Sequence, residues 1–348
     1  MGGGLTSKRK TIFVFKDRAL GDAVLTLSSL GFLRRTFPNA RILFGTPAWT
    51  LPLFPRKHRD YDELYPLPDG PLKSLRLFQF LMRNQVSMIF ECHARPSWSR
   101  SLRLFSKLSA VPYWFHHHGD RRPAGLVLDQ GVRKPIIQRD LDGIWSGLKH
   151  WGYKVQIPRY LDYRPEILRA KGSQKDRSLK IVLGVVATRE TKKWPLESFL
   201  RLSLSIKEQF PFAKFLVPLS PSAEDQKIAS RMKLMRFPEC VQPITLPLDQ
   251  LRDKIWNCDL YIGNDTGLKH ISVALGLKSI TFFGPEEPFE WHPYSIEEHP
   301  FLFINPLECR TRDAHYCGLS FCESMICMGE MKPDDCLSYV KKLNPHLT

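Results

Sequence analysis

Short apolar segments alternate with amphipathic ones along the chain. Residues 11–15, Thr-Ile-Phe-Val-Phe, form a β-branched and aromatic run with the length of a buried strand. Large apolar residues then recur at helical spacing from Asp22 to Pro38, and a second apolar run follows at residues 41–44. Strand, loop, helix and strand in this order predict a parallel sheet with crossover helices.

The same order of elements starts again in the second half. A strand is predicted at residues 87–90 and a helix at 102–108, and the polar stretch 162–178 is the best candidate for a linker. Beyond it, the pattern predicts strands at residues 180–186, 215–217, 259–263 and 279–283, and helices over 195–209 and 267–275.

We therefore expect two doubly wound α/β domains, residues 1–170 and 176–348, whose parallel sheets face a central cleft. The C-terminal helix is a candidate for packing back on the first domain. In open α/β sheets, ligands bind outside the carboxyl ends of the strands. The loops that follow the strands are therefore the places to look for a site between the domains.

Composition sets limits on the class of protein. With 348 residues, 43% of them hydrophobic, the chain is long enough for two domains with cores of their own. It lacks the ~18–20 consecutive apolar residues of a membrane span and the apolar block of a signal peptide, which predicts a cytoplasmic protein. Its eight cysteines are accordingly expected to be thiols.

The positive charge is concentrated in the first half. Residues 1–175 contain 30 Lys and Arg against 13 Asp and Glu, whereas residues 176–348 contain 21 against 22. This asymmetry indicates that one lobe meets a polyanion, such as a nucleic acid, an anionic membrane surface or a phosphorylated substrate. A solvated basic surface without a partner is the alternative.

The segment from Ile262 to His270 places small and hydroxyl residues where a strand becomes a helix. At this turn the Thr266 hydroxyl, the backbone at Gly267 and the positive end of the helix dipole together suit a phosphate. An ordinary capped turn is the equal alternative, because Asn, Asp and Thr are all good N-caps. The segment is neither a Walker motif nor a dinucleotide-binding Gly-x-Gly-x-x-Gly.

Two further loops carry candidate chemistry. Asp22 lies at the start of the first helix, where it could accept a proton from an attacking hydroxyl or simply cap the helix. The helix N-terminus there is expected to lower the pKa of its carboxyl. In the second half, Arg189, Lys192 and Lys193 follow a strand, and cations at such an edge suit a diphosphate leaving group; a solvated loop is the alternative.

These segments, in their order along the chain, resemble the motifs of glycosyltransferase family 9, the heptosyltransferase family of lipopolysaccharide core assembly. The resemblance rests on residues 19–22, on residues 188–195, and on residues 265–270 with Phe283-Gly284-Pro285 and Pro288. It implies a GT-B fold of two Rossmann-like domains, with the acceptor on the first and the nucleotide sugar on the second. It also implies inversion at the anomeric carbon without a metal or other cofactor.

The resemblance assigns roles to individual residues. Asp22 corresponds to the general base, Lys192 to the contact with the donor diphosphate, and Asp265 to a contact with the donor sugar. Thr266 and Gly267 correspond to the phosphate-binding turn.

The remaining donor-site candidates are Arg189, Leu268 and His270, although a helix-packing histidine is an equal interpretation of His270. Leu268-Lys269 replaces the Pro-Met of many members, while a leucine at the first position resembles one branch of the family.

The implied partners are an ADP-heptose donor and an anionic glycolipid acceptor at the inner membrane face, with no nucleic acid. The basic first half fits such a surface, since anionic lipids attract nearby Lys and Arg. The alternatives are transfer of another sugar, synthesis of another surface glycan, and a non-catalytic protein that binds a nucleotide or polyanion. A nucleic-acid binder would need a recognition module, and we find neither a helix-turn-helix nor an RNA-recognition motif.

Several clusters could in principle bind a metal, but each has a more ordinary interpretation. Asp60-Tyr61-Asp62 lies in a Pro-rich loop, and Asp140 and Asp142 lie in a helical stretch where positions i and i+2 do not face one another. Neighbouring side chains of the His116–His118 run diverge in an extended segment. Among the tail cysteines, only the two inner gaps, of four residues each, reach the spacing of a structural zinc pair; these cysteines are Cys309, Cys317, Cys322, Cys327 and Cys336.

Overall fold

The computed structural model describes residues 9–92, 96–116, 134–168, 178–309 and 321–345. The chain divides into two compact units, Met1–Pro165 and Glu166–Thr348. The division lies inside the polar stretch of residues 162–178.

The first unit contains five strands and four α-helices. The strands are β1 (Thr11–Phe15), β2 (Arg41–Pro47), β3 (Glu63–Leu67), β4 (Met88–Cys92) and β5 (Tyr113–His116). The helices are α1 (Leu20–Thr36), α2 (Lys73–Arg83), α3 (Pro96–Ser109) and α4 (Ile136–His150). All neighbouring strands are parallel, in the order β3-β2-β1-β4-β5, so the direction of winding reverses between β1 and β4.

Both faces of this sheet are covered, because successive side chains of a strand point to opposite faces. On one face, Phe13 and Phe15 of β1 form a core cluster with Leu77 of α2 and Leu102 of α3. Ile12 and Val14 point to the other face and are fully buried. α1 and α4 pack against each other.

The second unit repeats the arrangement with six strands. These are β6 (Lys180–Gly184), β7 (Lys214–Pro218), β8 (Val241–Ile244), β9 (Leu260–Asn264), β10 (Lys278–Phe283) and β11 (Phe301–Phe303). They are parallel, in the order β11-β10-β9-β6-β7-β8, and the winding reverses between β6 and β9. Strand orders of this kind are those of the Rossmann fold, and the predicted class of two Rossmann-like parallel-sheet domains is confirmed.

Seven α-helices accompany the second sheet in the described part of the chain. They are α5 (Leu196–Gln209), α6 (Ala223–Leu234), α7 (Leu248–Trp256), α8 (Gly267–Ala274), α9 (Pro288–Trp291), α10 (Ile326–Gly329) and α11 (Pro333–Leu343). The C-terminal helix α11 packs on α5 and β10 and buries Cys336 and Val340 in the core of this unit. Packing of this helix on the first domain stays a prediction.

Among the helices that the structure describes, none has both the length and the apolar character needed to cross a bilayer.

The strands β6 and β9 approach each other closely at Gly184 and Gly263, which are paired in the sheet. A Cβ atom at Gly263 would lie 2.6 Å from the Gly184 Cα atom and carbonyl oxygen. We expect Gly263→Ala to destabilise the second unit by about 3 kcal/mol, because two backbones must separate to admit one methyl group. Gly329→Ala is the matched control, since its Cβ would meet nothing within 4 Å. Urea unfolding of both variants tests this, and equal midpoints would contradict it.

Candidate functional site

The candidate donor site lies in the second unit, at the carboxyl ends of β6 and β9, where the direction of winding reverses. This is where doubly wound sheets bind their ligands. The buried Asn264 side chain joins the two strand ends. Its Oδ1 accepts from the Trp194 N–H at 2.9 Å, and its Nδ2 donates to the Val185 carbonyl at 2.9 Å. The loop that carries Lys192 is thereby held against the start of α8.

Asp265 is the centre of the site. It is 5% exposed, and each of its carboxylate oxygens faces a lysine. Lys269 Nζ, one helical turn further along the chain, lies 2.5 Å from Oδ1, and Lys192 Nζ lies 3.0 Å from Oδ2. Burial favours the neutral acid, but the two lysines together hold the pKa of Asp265 well below its ordinary value. The carboxylate is therefore ionised at neutral pH.

Glu286, in the loop after β10, forms ion pairs with two cations of the site. Its Oε1 forms an ion pair with Arg189, and its Oε2 forms one with Lys192. Burial would lower the pKa of Lys192, but Asp265 and Glu286 raise it above the ordinary value. Three cations and two carboxylates thus form one cluster, and its excess of one positive charge suits an anionic ligand.

The turn before α8 has features of an anion site. Thr266 is the N-cap residue in extended backbone geometry, yet its side chain makes no capping hydrogen bond. Its Oγ1 is buried beside the Tyr261 hydroxyl. The interpretation of this segment as an ordinary side-chain-capped turn is therefore not supported at Thr266. The backbone N–H groups of Gly267 and Leu268 lie at the start of α8, and such a helix N-terminus suits an anion.

His270 packs inside the unit. Its Nδ1 lies 2.6 Å from the Tyr294 hydroxyl, and the residue is 5% exposed. Burial and the neighbouring Lys269 hold the pKa of His270 well below its ordinary value, so the imidazole is neutral. These contacts favour the packing interpretation, while a direct role in donor binding stays a prediction.

Lys269 is fully buried, although the sequence comparison noted it only as a departure from the family pattern. Its ammonium group donates to Asp265 and to the Trp291 carbonyl at 2.8 Å, and it lies over the Phe283 ring at 4.7 Å. Burial lowers the pKa of Lys269 despite the opposing pull of Asp265. The lysine thus fastens the start of α8 to the end of α9.

Replacement of Lys269 by methionine should destabilise the second unit by roughly 1–3 kcal/mol. The variant keeps the length of the side chain, but it deprives the Trp291 carbonyl and one carboxylate oxygen of their buried donor. Denaturant unfolding measures the change, with Lys254→Met at an exposed position of α7 as the control. A variant as stable as the wild type would show that the buried ammonium group contributes nothing net.

In the first unit, Asp22 belongs to a charged group at the carboxyl end of β1. Lys16, which directly follows β1 and is fully buried, donates to Asp140 Oδ2 of α4 at 2.9 Å. The same ammonium nitrogen lies 4.0 Å from Asp22 Oδ1, and the Asp22 side chain is a quarter exposed. Asp22 is therefore accessible, while its neighbours Lys16 and Asp140 are not.

The expected sign of the Asp22 pKa shift is wrong. Burial raises the pKa of its carboxyl; Lys16 opposes the rise and Asp140 adds to it, so the pKa lies above the ordinary value. Position in the first turn of a helix does not compensate for partial loss of water. A raised pKa makes the carboxylate a stronger base, which is what proton abstraction requires.

The aspartates of the candidate metal clusters form ion pairs with Lys and Arg side chains. Asp62 pairs with Arg34 at 2.6 Å and accepts from the Ile42 N–H, whereas Asp140 pairs with Lys16 and Asp142 with Lys134. Within the described ranges, no group of three or more His, Cys, Asp or Glu residues is arranged to hold a metal ion. His117, His118 and Cys317 lie outside the described residues.

The seven cysteines that the structure describes form no disulfide with one another. The prediction of thiols is confirmed for these residues. Cys336 is buried in α11 and packs in the core of the second unit.

The sequence motifs place Lys192, Arg189, Asp265 and the Thr266 turn in one predicted site, and the structure brings these residues together. Glu286 and the structural role of Lys269 were not predicted from these motifs. Two signals were available: Glu286 follows a strand at the same edge of the sheet, and Asp265 and Lys269 have the i, i+4 spacing of a helical ion pair.

Comparison with known proteins identifies relatives of the whole chain. Residues 143–315 match glycosyltransferase family 9 (heptosyltransferase). Lipooligosaccharide heptosyltransferase 2 of Campylobacter jejuni is 22% identical over 345 residues, which cover 96% of this chain and 99% of the relative. The ADP-heptose lps heptosyltransferase II of E. coli has a TM-score of 0.70 at 18% identity, covering 97% of this chain and 98% of that one. The E. coli heptosyltransferase WaaC with ADP has a TM-score of 0.69 at 14% identity, covering 96% and 99%.

Proposed function

Since the chain belongs to glycosyltransferase family 9, the heptosyltransferases, and has their GT-B fold, we propose that it transfers a heptose from ADP-heptose to a lipopolysaccharide inner-core acceptor. The C. jejuni relative is named as a lipooligosaccharide heptosyltransferase, and the similar E. coli structures carry ADP or are named for ADP-heptose. We further propose that transfer inverts the anomeric carbon and requires no metal.

The observation that carries this proposal is the cluster around Asp265. A nucleoside diphosphate sugar presents a dianionic pyrophosphate next to a polyhydroxylated ring. In this cluster, Lys192 and Arg189 can bind the pyrophosphate. The Thr266 hydroxyl and the Asp265 carboxylate can make further polar contacts with the donor. Buried charged side chains with shifted pKa values, next to a helix N-terminus, are typical of a site for a polar ligand.

In the proposed reaction, Asp22 accepts the proton of the acceptor hydroxyl. The oxygen forms a bond to the anomeric carbon as the bond between that carbon and the diphosphate oxygen breaks. The electron pair of the broken bond leaves with the ADP. Attack opposite to the leaving group inverts the configuration, and the raised pKa of Asp22 matches the base to this task.

Lys192 and Arg189 neutralise the charge that develops on the departing diphosphate. In the structure Glu286 pairs with both cations, and Lys192 also pairs with Asp265. When the diphosphate takes over Lys192, Asp265 Oδ2 is released to accept from a hydroxyl of the sugar, while Oδ1 stays with Lys269. One carboxylate can thus hold Lys269 through Oδ1 and contact the donor sugar through Oδ2.

The same residues support the proposal that transfer needs no metal. A divalent cation assists transfer by neutralising the diphosphate, and here two side-chain cations stand ready to do so. The carboxylates that a metal would need, Asp265 and Glu286, are already engaged with lysine and arginine.

A panel of nucleotide sugars, with the purified chain and a lipopolysaccharide core acceptor, tests the proposal. We expect turnover with ADP-heptose to exceed that with UDP- or GDP-sugars, to persist in EDTA, and to give a product of inverted configuration. Turnover with another sugar nucleotide but not with ADP-heptose would show that the proposed donor is wrong. Loss of turnover in EDTA with recovery on adding Mg²⁺ would overturn the metal-independent mechanism, and binding without turnover would favour a non-catalytic protein.

A further inference from the structure

The outward sides of two helices in the first unit expose large apolar residues to solvent. On α2, the side chains of Leu75 and Met82 are 52% and 62% exposed, and Leu72 just before the helix is 56% exposed. On α3, Leu104 and Leu108 are 53% and 76% exposed. On each helix the spacing of three, four or seven places these residues along one stripe.

The two stripes lie side by side. α2 and α3 cover the same face of the first sheet and share one core cluster. They also contact each other directly, because the Ser74 and Ser101 hydroxyls are 2.7 Å apart and the Phe78 and Phe105 rings are 5.2 Å apart. Their outward sides therefore form one surface, which we call the α2/α3 face and which comprises Leu72, Leu75, Met82, Leu104 and Leu108 with the cations between them.

The two helices of this face carry cations but no carboxylates. Neither helix contains an Asp or a Glu, and together they contain six cations. Arg76 and Arg83 of α2, and Arg100 and Lys107 of α3, are exposed among the apolar side chains. The helix α6 of the second unit differs in this respect, since its exposed Leu234 shares the helix with Glu224 and Asp225.

We propose that the α2/α3 face docks on an anionic lipid bilayer. Aliphatic side chains interspersed with Lys and Arg are suited to the boundary between acyl chains and headgroups. The leucines and methionine enter the apolar layer while the cations contact anionic headgroups. Binding of single-stranded nucleic acid would instead call for exposed aromatic side chains on which bases stack, and those exposed here are aliphatic.

The position of the face suits the chemistry of this unit. The α3 residue Trp98 donates from Nε1 to Asp17 Oδ2 at 2.8 Å, which fastens the start of α3 to the loop that leads to Asp22. The α2/α3 face thus belongs to the same unit as the proposed base, and α3 is tied to the loop before it. In this respect the docking surface rests on the proposed function, which requires a lipid-anchored acceptor.

Co-sedimentation of the full chain with vesicles tests the docking surface. We expect binding to vesicles of phosphatidylglycerol and phosphatidylcholine in equal amounts, weaker binding to phosphatidylcholine alone, and loss of the difference at high salt. Each cation near an anionic surface contributes about fivefold to binding, so Arg76→Gln with Lys107→Gln should weaken it roughly 25-fold. Leu75→Gln with Leu108→Gln should weaken it about tenfold by removing apolar contact.

Lys233→Gln with Leu234→Gln on α6 is the matched control, because it removes the same residue types from an exposed helix and should leave vesicle binding unchanged. Unchanged binding in the α2/α3 variants would overturn the proposal, as would a preference for RNA over vesicles. Turnover with a delipidated acceptor distinguishes failure of the docking surface from failure of the proposed function. The α2/α3 variants should match the wild type there, whereas failure of the wild type itself would count against the proposed function and not against the docking surface.

Discussion

Asp22→Asn should lower kcat for sugar transfer about a thousandfold, since a positioned general base contributes roughly 10²–10⁴ to the rate. The asparagine has nearly the same shape but cannot accept the proton of the acceptor hydroxyl. Affinity for ADP should stay unchanged, because the cations of the proposed diphosphate site belong to the second unit. Steady-state kinetics with ADP-heptose and calorimetric titration with ADP measure the two effects.

Stability provides an internal control for this variant. The pKa of Asp22 is raised in the folded protein, so the folded state binds more protons than the unfolded chain as the pH passes between the two pKa values. Above that window the ionised Asp22 costs folding free energy, and Asp22→Asn removes this cost. The variant should therefore be as stable as the wild type at pH 7, or more stable, while it is inactive. Asp69→Asn at an exposed position is the matched control for activity.

The pH dependence should follow the same carboxyl. The kcat/KM of the wild type should fall on the acid side as Asp22 is protonated, with a midpoint above the ordinary aspartate pKa of 3.8. Retention of wild-type kcat by Asp22→Asn would remove Asp22 from the reaction.

Lys192→Ala should lower kcat about a hundredfold to a thousandfold, because the leaving diphosphate loses a charged donor. It should also weaken ADP binding about tenfold to a hundredfold, the range for loss of one charge-assisted hydrogen bond. The pKa of Lys192 is raised by its two carboxylate neighbours, so the wild-type contribution should be constant from acid to neutral pH. Calorimetry with ADP and initial-rate kinetics measure both effects.

The adjacent Lys193 provides a matched control for Lys192. Its ammonium group pairs with Glu190 and lies outside the cluster around Asp265, so Lys193→Ala should bind ADP like the wild type. Lys192→Arg keeps the charge and should recover part of the ADP affinity. If Lys192→Ala and Lys193→Ala bind ADP equally well, the diphosphate does not contact Lys192.

The central strands could be predicted from the sequence, whereas the edge strands could not. β1, β6, β9 and β10 are buried apolar runs, which periodicity identifies directly. The edge strands β3 and β8 contain Pro66 and Pro243, and β8 is partly exposed. Proline is tolerated at a sheet edge, where its missing N–H needs no partner, but in a sequence it argues against a strand.

The polar helix α6 was missed for a related reason. Its sequence, Ala-Glu-Asp-Gln-Lys-Ile-Ala-Ser-Arg-Met-Lys-Leu, buries only Met232, so it has hardly any apolar stripe to recognise. The local signal that was present is the N-cap, where Ser222 accepts from the Asp225 N–H at 3.2 Å.

The sequence by itself determined the two parallel sheets and the candidate loops at strand ends, because apolar periodicity and turn residues are local properties. Only the tertiary structure decided which charges meet. Arg189 and Glu286 are separated by 97 positions, and Lys16 and Asp140 by 124, so no local pattern relates them. The same holds for the sign of the Asp22 pKa shift, since it depends on how much water the folded chain removes and on which distant charges it brings near.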